Sequence, residues 1–152
     1  MMKIALFPGS FDPLTKGHVE IITKGLSVFD KVIVAIGRNS QKKYLFDIEI
    51  RKQWIEDVFK DFPAVEVMIY EGLTIDFCQK IGANYLLRGL RSCSDFEYEK
   101  GIAFANKEMN PQIETVFLLS SPATFNISST IVRDIIVNKG DYSHFVPKEI
   151  KF

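Results

Sequence analysis

Residues 3–29 read KIALFPGSFDPLTKGHVEIITKGLSVF, and this stretch decides the class of fold. Its first part, Lys3–Phe7, is a short and mostly apolar run that ends at a proline and a glycine, which is typical of a strand buried on both faces. Its last part, His18–Phe29, carries apolar residues at helical spacing: Val19, Ile22, Leu26 and Phe29. The stretch therefore predicts a strand, a polar loop and a helix in succession.

The same alternation continues along the chain. Four further apolar runs predict strands: Lys31–Gly37, Val65–Tyr70, Tyr85–Arg88 and Glu114–Leu119. Four further segments predict helices: Asp47–Phe62, Leu73–Ile81, Asp95–Met109 and Ser128–Asn138. This pattern predicts one Rossmann-like, doubly wound α/β domain over residues 1–152, with a five-stranded parallel sheet and helices on both faces. Ligands of such sheets bind at the carboxyl ends of the strands, so the loops there are where chemistry is expected.

Composition narrows the class of protein. The chain has 152 residues and equal numbers of basic and acidic residues, 19 of each, so it lacks the basic excess of a general nucleic-acid binder. No apolar run approaches the ~20 residues of a membrane helix, and the first residues are too short a run for a signal peptide. The two cysteines, Cys78 and Cys93, form neither a disulfide framework nor a zinc pattern. We therefore expect a cytoplasmic protein without membrane or nucleic-acid partners.

The first loop has the composition of a phosphate site. Gly9 allows a ligand to approach the backbone, Ser10 supplies a hydroxyl and an N–H group, and Gly17 and His18 stand where the helix begins. A helix N-terminus offers unpaired N–H groups and a positive dipole end, which also disfavours a second proton on His18. An isolated Thr-x-Gly-His, as at Thr15–His18, is more often a capped turn with a surface histidine.

The surrounding residues favour the phosphate site. Phe7–Pro13, followed by Thr15–His18, resembles the first signature of the nucleotidylyltransferase superfamily, which uses Thr/His-x-Gly-His to hold ATP or CTP phosphates. Ile127–Arg133 resembles its second signature, with hydroxyls gathered at the start of another helix. A Ser-Ser-Thr run alone is usually a helix cap. Two signatures at two strand–helix junctions are far more specific than either alone.

A third segment narrows the resemblance to one family. Arg88-Gly89-Leu90-Arg91 leaves the fourth predicted strand, and Asp95–Glu99 opens the next helix. This combination is similar to the phosphopantetheine adenylyltransferases, and the resemblance runs from Lys3 to about Pro147. Without it, Arg88 and Arg91 would be interpreted as partners in surface ion pairs with Asp95, Glu97 or Glu99.

The resemblance implies an activity and its partners. It implies transfer of the adenylyl group of ATP to 4'-phosphopantetheine, giving dephospho-CoA and pyrophosphate, the penultimate step of coenzyme A biosynthesis. It also implies Mg²⁺ bound with ATP, a homohexamer, and CoA as a feedback inhibitor. The alternatives are another small-molecule nucleotidylyltransferase, which typically has His where this chain has Thr15, or a nucleotide- or CoA-binding module without turnover.

The resemblance also implies roles for individual residues. His18 is expected to donate to the α-phosphate of ATP, while Lys42 and Arg88 hold the attacking phosphate. The residues implied for ATP are Gly9, Ser10, Phe11, His18, Gly89, Leu90, Arg91, Glu99, Thr124, Phe125, Asn126, Ile127, Ser128, Ser129 and Thr130. Those implied for the acceptor are Ser10, Lys42, Thr74 and Arg88, and no residue is implied as a direct metal ligand. Many relatives place an aromatic residue at the position of Thr124, so Phe125 is the candidate to wall the adenine instead.

Overall fold

The computed structural model describes all 152 residues, Met1–Phe152. The five strands are β1 (Ile4–Gly9), β2 (Lys31–Arg38), β3 (Val65–Glu71), β4 (Tyr85–Leu90) and β5 (Glu114–Leu119). The five helices are α1 (Lys16–Gly25), α2 (Ile48–Val58), α3 (Thr74–Ile81), α4 (Cys93–Met109) and α5 (Ser129–Val137). Every predicted element is present in the predicted order. The largest shift is at α1, which begins at Lys16 and ends at Gly25, whereas the sequence predicted His18–Phe29.

The sheet has the order β3-β2-β1-β4-β5, and every neighbouring pair is parallel. The central strand β1 pairs with β2 on one side, where Phe7 lies beside Val34, and with β4 on the other, where Leu6 lies beside Leu86. The connections run in opposite directions on the two sides of β1. The crevice at the carboxyl ends of β1 and β4 is therefore the switch point at which such sheets bind ligands. The predicted Rossmann-like α/β fold is confirmed.

Both faces of the sheet are covered. One core joins the sheet to α1, α2 and α5, through residues that include Phe7, Ile22, Val34, Ile55 and Val132. The other joins it to α3, through residues that include Leu6, Ile33, Ile75, Cys78 and Leu86. Neighbouring residues of a strand point to opposite faces, so a strand buried on both faces must be apolar throughout. This explains the continuous apolar runs in the sequence.

The fourth helix, α4, is the least buried element. It has 17 residues, none of them fully buried, and it packs on the sheet through contacts such as the edge-to-face pair of Phe96 and Phe117, whose ring centroids lie 5.8 Å apart. Three of its large side chains are well exposed: Tyr98, Phe104 and Met109. Neither this helix nor any other combines the length and the apolar character needed to cross a membrane.

Candidate active site

Two cavities open side by side at the switch point. One, the lysine cavity, has a volume of about 790 Å³ and contains Lys42 and Thr74. The other, the histidine cavity, has a volume of about 700 Å³ and contains His18. Five residues line both cavities and form their common boundary: Pro8, Gly9, Ser10, Arg88 and Glu99. Molecules that occupied the two cavities would meet at this boundary.

The orientation of His18 follows from the way α1 begins. Thr15 is the N-cap, and its hydroxyl accepts the backbone N–H of His18 at 3.4 Å. In return, the backbone N–H of Thr15 donates to Nδ1 of His18 at 3.0 Å, which completes a capping box. Because Nδ1 is the acceptor, the proton of a neutral ring lies on Nε2. Nε2 has no hydrogen-bond partner within the chain, so it is a free donor on a residue that lines the histidine cavity.

The His18 ring is neutral at physiological pH. The rings of Phe11 and Phe7 pack around it, with centroids 5.0 and 6.3 Å from that of His18. This burial is the main cause that lowers the pKa of His18 from 6.5 to about 4, and the positive charges of Arg91 and Arg88 lower it further. The sequence predicted a neutral donor from the helix dipole. The structure gives the same protonation state chiefly through burial.

Arg88, at the carboxyl end of β4, is the main polar group of the boundary. Its Nε and Nη2 groups donate to the two carboxylate oxygens of Glu99 at 2.9 and 2.6 Å, and Nη1 donates to the Pro8 carbonyl at 2.9 Å. The Glu99 side chain is only 11% exposed. A guanidinium has five N–H groups, so these three bonds leave one on Nη1 and one on Nη2 for a ligand. The sequence predicted that Arg88 binds a phosphate through two hydrogen bonds. In this structure, its guanidinium forms those two hydrogen bonds with the Glu99 carboxylate.

Arg91 likewise combines an ion pair with a place in the histidine cavity. Its backbone N–H and its Nε both donate to Oδ2 of Asp95, at 3.1 and 3.2 Å. Its Nη1 donates to the carbonyl of Ile127 at 3.3 Å, which links the loop after β4 to the loop before α5. The alternative interpretation of the sequence was that Arg88 and Arg91 form ion pairs with the acids that follow them. These ion pairs are present, and both arginines also line the histidine cavity.

The start of α5 is fixed against the first loop. Ser128 is the N-cap of α5, and the hydroxyl of Ser129 donates to the carbonyl of Pro13 at 2.8 Å. From the next turn, Nη1 of Arg133 donates to the carbonyl of Asp12 at 2.7 Å. The two segments that resemble superfamily signatures are distant in the chain but are joined directly here.

The lysine cavity is built from the loop after β2 and from α3. Lys42 is exposed, and its side chain forms no hydrogen bond or ion pair within the chain, whereas its backbone N–H donates to the carbonyl of Asn39 at 3.2 Å. The carboxylate of Asp12 holds this loop by accepting the backbone N–H groups of Leu45 and Phe46, at 2.8 and 3.0 Å. On the other side of the cavity, the hydroxyls of Thr74 and Tyr70 lie 2.8 Å apart in a hydrogen bond.

Arg51 is a structural part of the site that the sequence reasoning missed. It is 2% exposed; its Nε donates to the carbonyl of Phe46 at 2.9 Å, and its Nη1 to the carbonyl of Ser10 at 2.5 Å. Its guanidinium carbon lies 4.3 Å from the centre of the Tyr44 ring. Arg51 thereby joins the first loop to the loop that carries Lys42. A charge among apolar residues at helical spacing, between Ile48 and Ile55, was the signal that could have identified it.

Comparison with known proteins gives the family. A sequence profile of the family described as cytidylyltransferase-like matches residues 6–135. A phosphopantetheine adenylyltransferase of Flavobacterium psychrophilum is 55% identical over 150 residues, covering 99% of each chain. One from Flavobacterium johnsoniae is 51% identical, covering 99% of this chain and 98% of its own. This chain belongs to the phosphopantetheine adenylyltransferase family. It is therefore a nucleotidyltransferase.

Solved structures of low sequence identity share the fold. A putative nicotinate-nucleotide adenylyltransferase from Vibrio parahaemolyticus superposes with a TM-score of 0.69 at 21% identity, covering 98% of this chain and 96% of its own. A bifunctional NMN adenylyltransferase/ADP ribose pyrophosphatase from Francisella tularensis gives a TM-score of 0.75 at 20% identity, covering 96% of this chain and 45% of its own. At this identity the likeness concerns the fold alone.

The cavities gather most of the residues that the family resemblance implied. All four acceptor residues, Ser10, Lys42, Thr74 and Arg88, line the lysine cavity. The histidine cavity is lined by Gly9, Ser10, Phe11, His18, Gly89, Arg91, Glu99, Thr124, Ile127, Ser128, Ser129 and Thr130.

Three residues implied for ATP, Leu90, Phe125 and Asn126, line neither cavity. Phe125 is 52% exposed, and its expected role as a wall for adenine stays a prediction. Thr124, the residue that replaces the aromatic one of many relatives, lines the histidine cavity and donates its hydroxyl to Glu20.

Proposed function

We propose that the protein transfers the adenylyl group of ATP to 4'-phosphopantetheine and forms dephospho-CoA and pyrophosphate. The observation that carries this proposal is the common boundary of the two cavities at Ser10, Arg88 and Glu99. ATP in the histidine cavity and the acceptor in the lysine cavity would bring their phosphates together there. The names of the Flavobacterium relatives support this choice of acceptor.

The reaction needs alignment and neutralisation of charge. An oxygen of the acceptor phosphate attacks the α-phosphorus of ATP, a new P–O bond forms, and the bond to the β-phosphate breaks, so that pyrophosphate leaves. The nucleophile is already an anion, so no side chain must remove a proton. Catalysis then depends on holding the two phosphates in line and on stabilising the charge that develops between them.

Each residue has a role in this scheme. Nε2–H of neutral His18 donates to an α-phosphate oxygen as charge builds there. Lys42 and the free N–H groups of Arg88 bind the acceptor phosphate, and Ser10 lies between the substrates. Arg91, with the hydroxyls of Ser129 and Thr130, binds the pyrophosphate end.

Magnesium fits this scheme as an ion that arrives with ATP. No group of three or more His, Cys, Asp or Glu side chains is placed to hold a metal ion, and the nearby carboxylates of Asp95 and Glu99 are paired with arginines. Mg²⁺ usually keeps several waters and binds substrate phosphates. When bound, it would neutralise charge on those phosphates.

The proposal extends to assembly, location and regulation. The exposed Tyr98, Phe104 and Met109 of α4 supply apolar surface of the kind that subunits bury, which supports the homohexamer implied by the resemblance. A cytoplasmic location and feedback inhibition by CoA complete the proposal. CoA contains the joined parts of both substrates, so it would compete for the same two cavities.

Release of pyrophosphate tests the proposal. The protein is incubated with ATP, Mg²⁺ and either phosphopantetheine or pantetheine, and in parallel with CTP and glycerol phosphate or with ATP and nicotinamide mononucleotide. Pantetheine lacks the attacking phosphate oxygen as well as the bonds to Lys42 and Arg88, so it should be at least about a hundredfold poorer as a substrate. Equal turnover of the two acceptors contradicts the assignment. Turnover only with the other pairs supports another nucleotidylyltransferase, and binding without pyrophosphate supports a binding module.

A further inference from the structure

Glu20, one turn into α1, makes more polar contacts with another segment than any other acid in the histidine-cavity region. Its two carboxylate oxygens accept the backbone N–H of Ser121, at 3.1 and 3.3 Å, and it also accepts the hydroxyl of Thr124. Lys24, one turn further along α1, contacts the carboxylate at 2.7 Å and donates to the carbonyl of Leu119 at 2.7 Å. Glu20 and Lys24 therefore attach α1 to the end of β5 and to the residues after it.

Residues 120–128, which connect β5 to α5 and are called the β5–α5 segment below, form part of the histidine cavity. Thr124, Ile127 and Ser128 of this segment line it. A Cβ placed on Gly17 would lie 3.8 Å from the carbonyl oxygens of both Thr124 and Ile127, so the segment runs close against the first turn of α1. A shift of the segment relative to α1 would therefore change the cavity wall.

We propose that Glu20 is a positioning residue for the nucleotide: its carboxylate fixes the β5–α5 segment against α1 and so sets the shape of the cavity that ATP enters. This inference rests on the proposed function, in which the histidine cavity binds ATP. Glu20 itself does not line either cavity, so its effect on the nucleotide acts through the segment.

The carboxylate has the charge that this role requires. Burial raises the pKa of Glu20, but the hydrogen bonds from Lys24, Thr124 and Ser121 outweigh burial and bring the pKa down from 4.5 to about 2. The group is therefore ionised over the whole range in which the enzyme would be assayed. Hydrogen bonds to an ionised acceptor are shorter and stronger than those between neutral groups.

The variant Glu20→Gln tests the inference. It keeps the size of the side chain but removes the charge and replaces one acceptor oxygen by a donor. The matched control is Glu56→Gln on α2, because Glu56 also forms an ion pair one turn away, with Lys52 at 3.4 Å, but lines neither cavity. For each protein, the dissociation constants for MgATP and for phosphopantetheine are measured separately by calorimetry, beside a thermal melt.

We expect Glu20→Gln to weaken MgATP binding about tenfold, with phosphopantetheine binding within about twofold of wild type, and Glu56→Gln to change neither. This division between the two ligands separates positioning of the nucleotide from general loss of structure. A folded Glu20→Gln variant that binds MgATP as wild type does, or that loses both ligands equally, overturns the inference.

If Glu20→Gln does not fold, the variant Lys24→Met tests the inference instead. The Lys24 side chain is 41% exposed, so its replacement should disturb the fold less, and it lines neither cavity. It should weaken MgATP about threefold and leave phosphopantetheine unchanged, and failure of that result overturns the inference equally. A wild-type protein that binds MgATP but releases no pyrophosphate overturns the proposed function alone, and the Glu20 comparison still decides the inference. A wild-type protein that binds no MgATP overturns both.

Discussion

Replacing His18 with alanine tests the proposed chemistry most directly. The variant removes the Nε2–H donor from the histidine cavity and also removes Nδ1, which accepts the backbone N–H of Thr15. These two losses have different consequences. The first acts on the transition state, and the second acts on the stability of α1.

The magnitudes follow from the two contacts. Loss of one donor that faces developing charge costs about 3–4 kcal/mol, so kcat should fall roughly a hundred- to a thousandfold. A neutral hydrogen bond to ground-state ATP contributes only about 0.5–1.5 kcal/mol, so the ATP dissociation constant should rise about tenfold at most. Loss of half of the capping box should lower the free energy of unfolding by about 1 kcal/mol.

A steady-state assay of pyrophosphate release, calorimetric titration with ATP and a thermal melt together measure these three effects. His144→Ala is the control, because the His144 side chain is 82% exposed and lies outside both cavities. It should match wild type in all three measurements. A His18→Ala variant that folds and turns over within a few fold of wild type would refute the role of this donor, and the first loop would then be only a well-capped turn.

Three further predictions concern pH, a buried cation and the thiols. The folded-state pKa of His18, about 4, lies below its ordinary 6.5, so protonation favours the unfolded chain. The contribution of this group to the free energy of unfolding is complete above pH 6.5 and is lost as the pH falls towards 4. Denaturant titrations between about pH 7 and pH 5 should therefore show a smaller loss of unfolding free energy for His18→Ala than for wild type. Arg51→Met leaves the partly buried carbonyls of Phe46 and Ser10 without their donor and should lower the free energy of unfolding by about 2–4 kcal/mol. In protein that still folds, it should raise KM for both substrates, and a normal melt with unchanged KM values would contradict this. The double variant Cys78→Ala/Cys93→Ser should keep most activity, because burial raises the pKa of the Cys78 thiol to about 12 and neither side chain lines either cavity. It should lose roughly 1 kcal/mol of stability. Loss of turnover in a folded double variant would indicate a catalytic thiol.

The fold was predictable because its cause is local and repeated. The central strands β1 and β2 are largely buried, the edge strands β3 and β5 are partly buried, and each strand appears in the sequence as a short, mostly apolar run, while each helix shows an apolar stripe. The predicted start of α1 was less accurate. Thr15 caps the helix, so α1 includes Lys16 and Gly17, which carry no apolar signal. Helix ends depend on a few side-chain contacts, which periodicity does not describe.

The sequence predicted most of the residues that line the two cavities, but not the contacts among them. The motifs indicated that Arg88 and Glu99 belong to one site, but three acids follow the arginines, and only the structure shows that Arg88 takes Glu99 and Arg91 takes Asp95. The orientation of Phe125 was also beyond the sequence, because the segment before α5 is neither helix nor strand, and no period relates its residues to a face.

In the ion pair at the boundary of the two cavities, the Glu99 carboxylate would compete with a bound phosphate for the guanidinium of Arg88. Glu99 already accepts two parallel hydrogen bonds from Arg88, in the geometry that a phosphate would use. A charged acceptor can displace Glu99 from part of the guanidinium, or share the guanidinium through its free N–H groups. A neutral acceptor can accept from the free N–H groups, as the Pro8 carbonyl already does from Nη1, but it offers too little charge to displace the Glu99 carboxylate. In the proposed function, the pair would therefore favour a charged acceptor over a neutral one, and selectivity against pantetheine would arise from Glu99 as well as from Lys42 and Arg88.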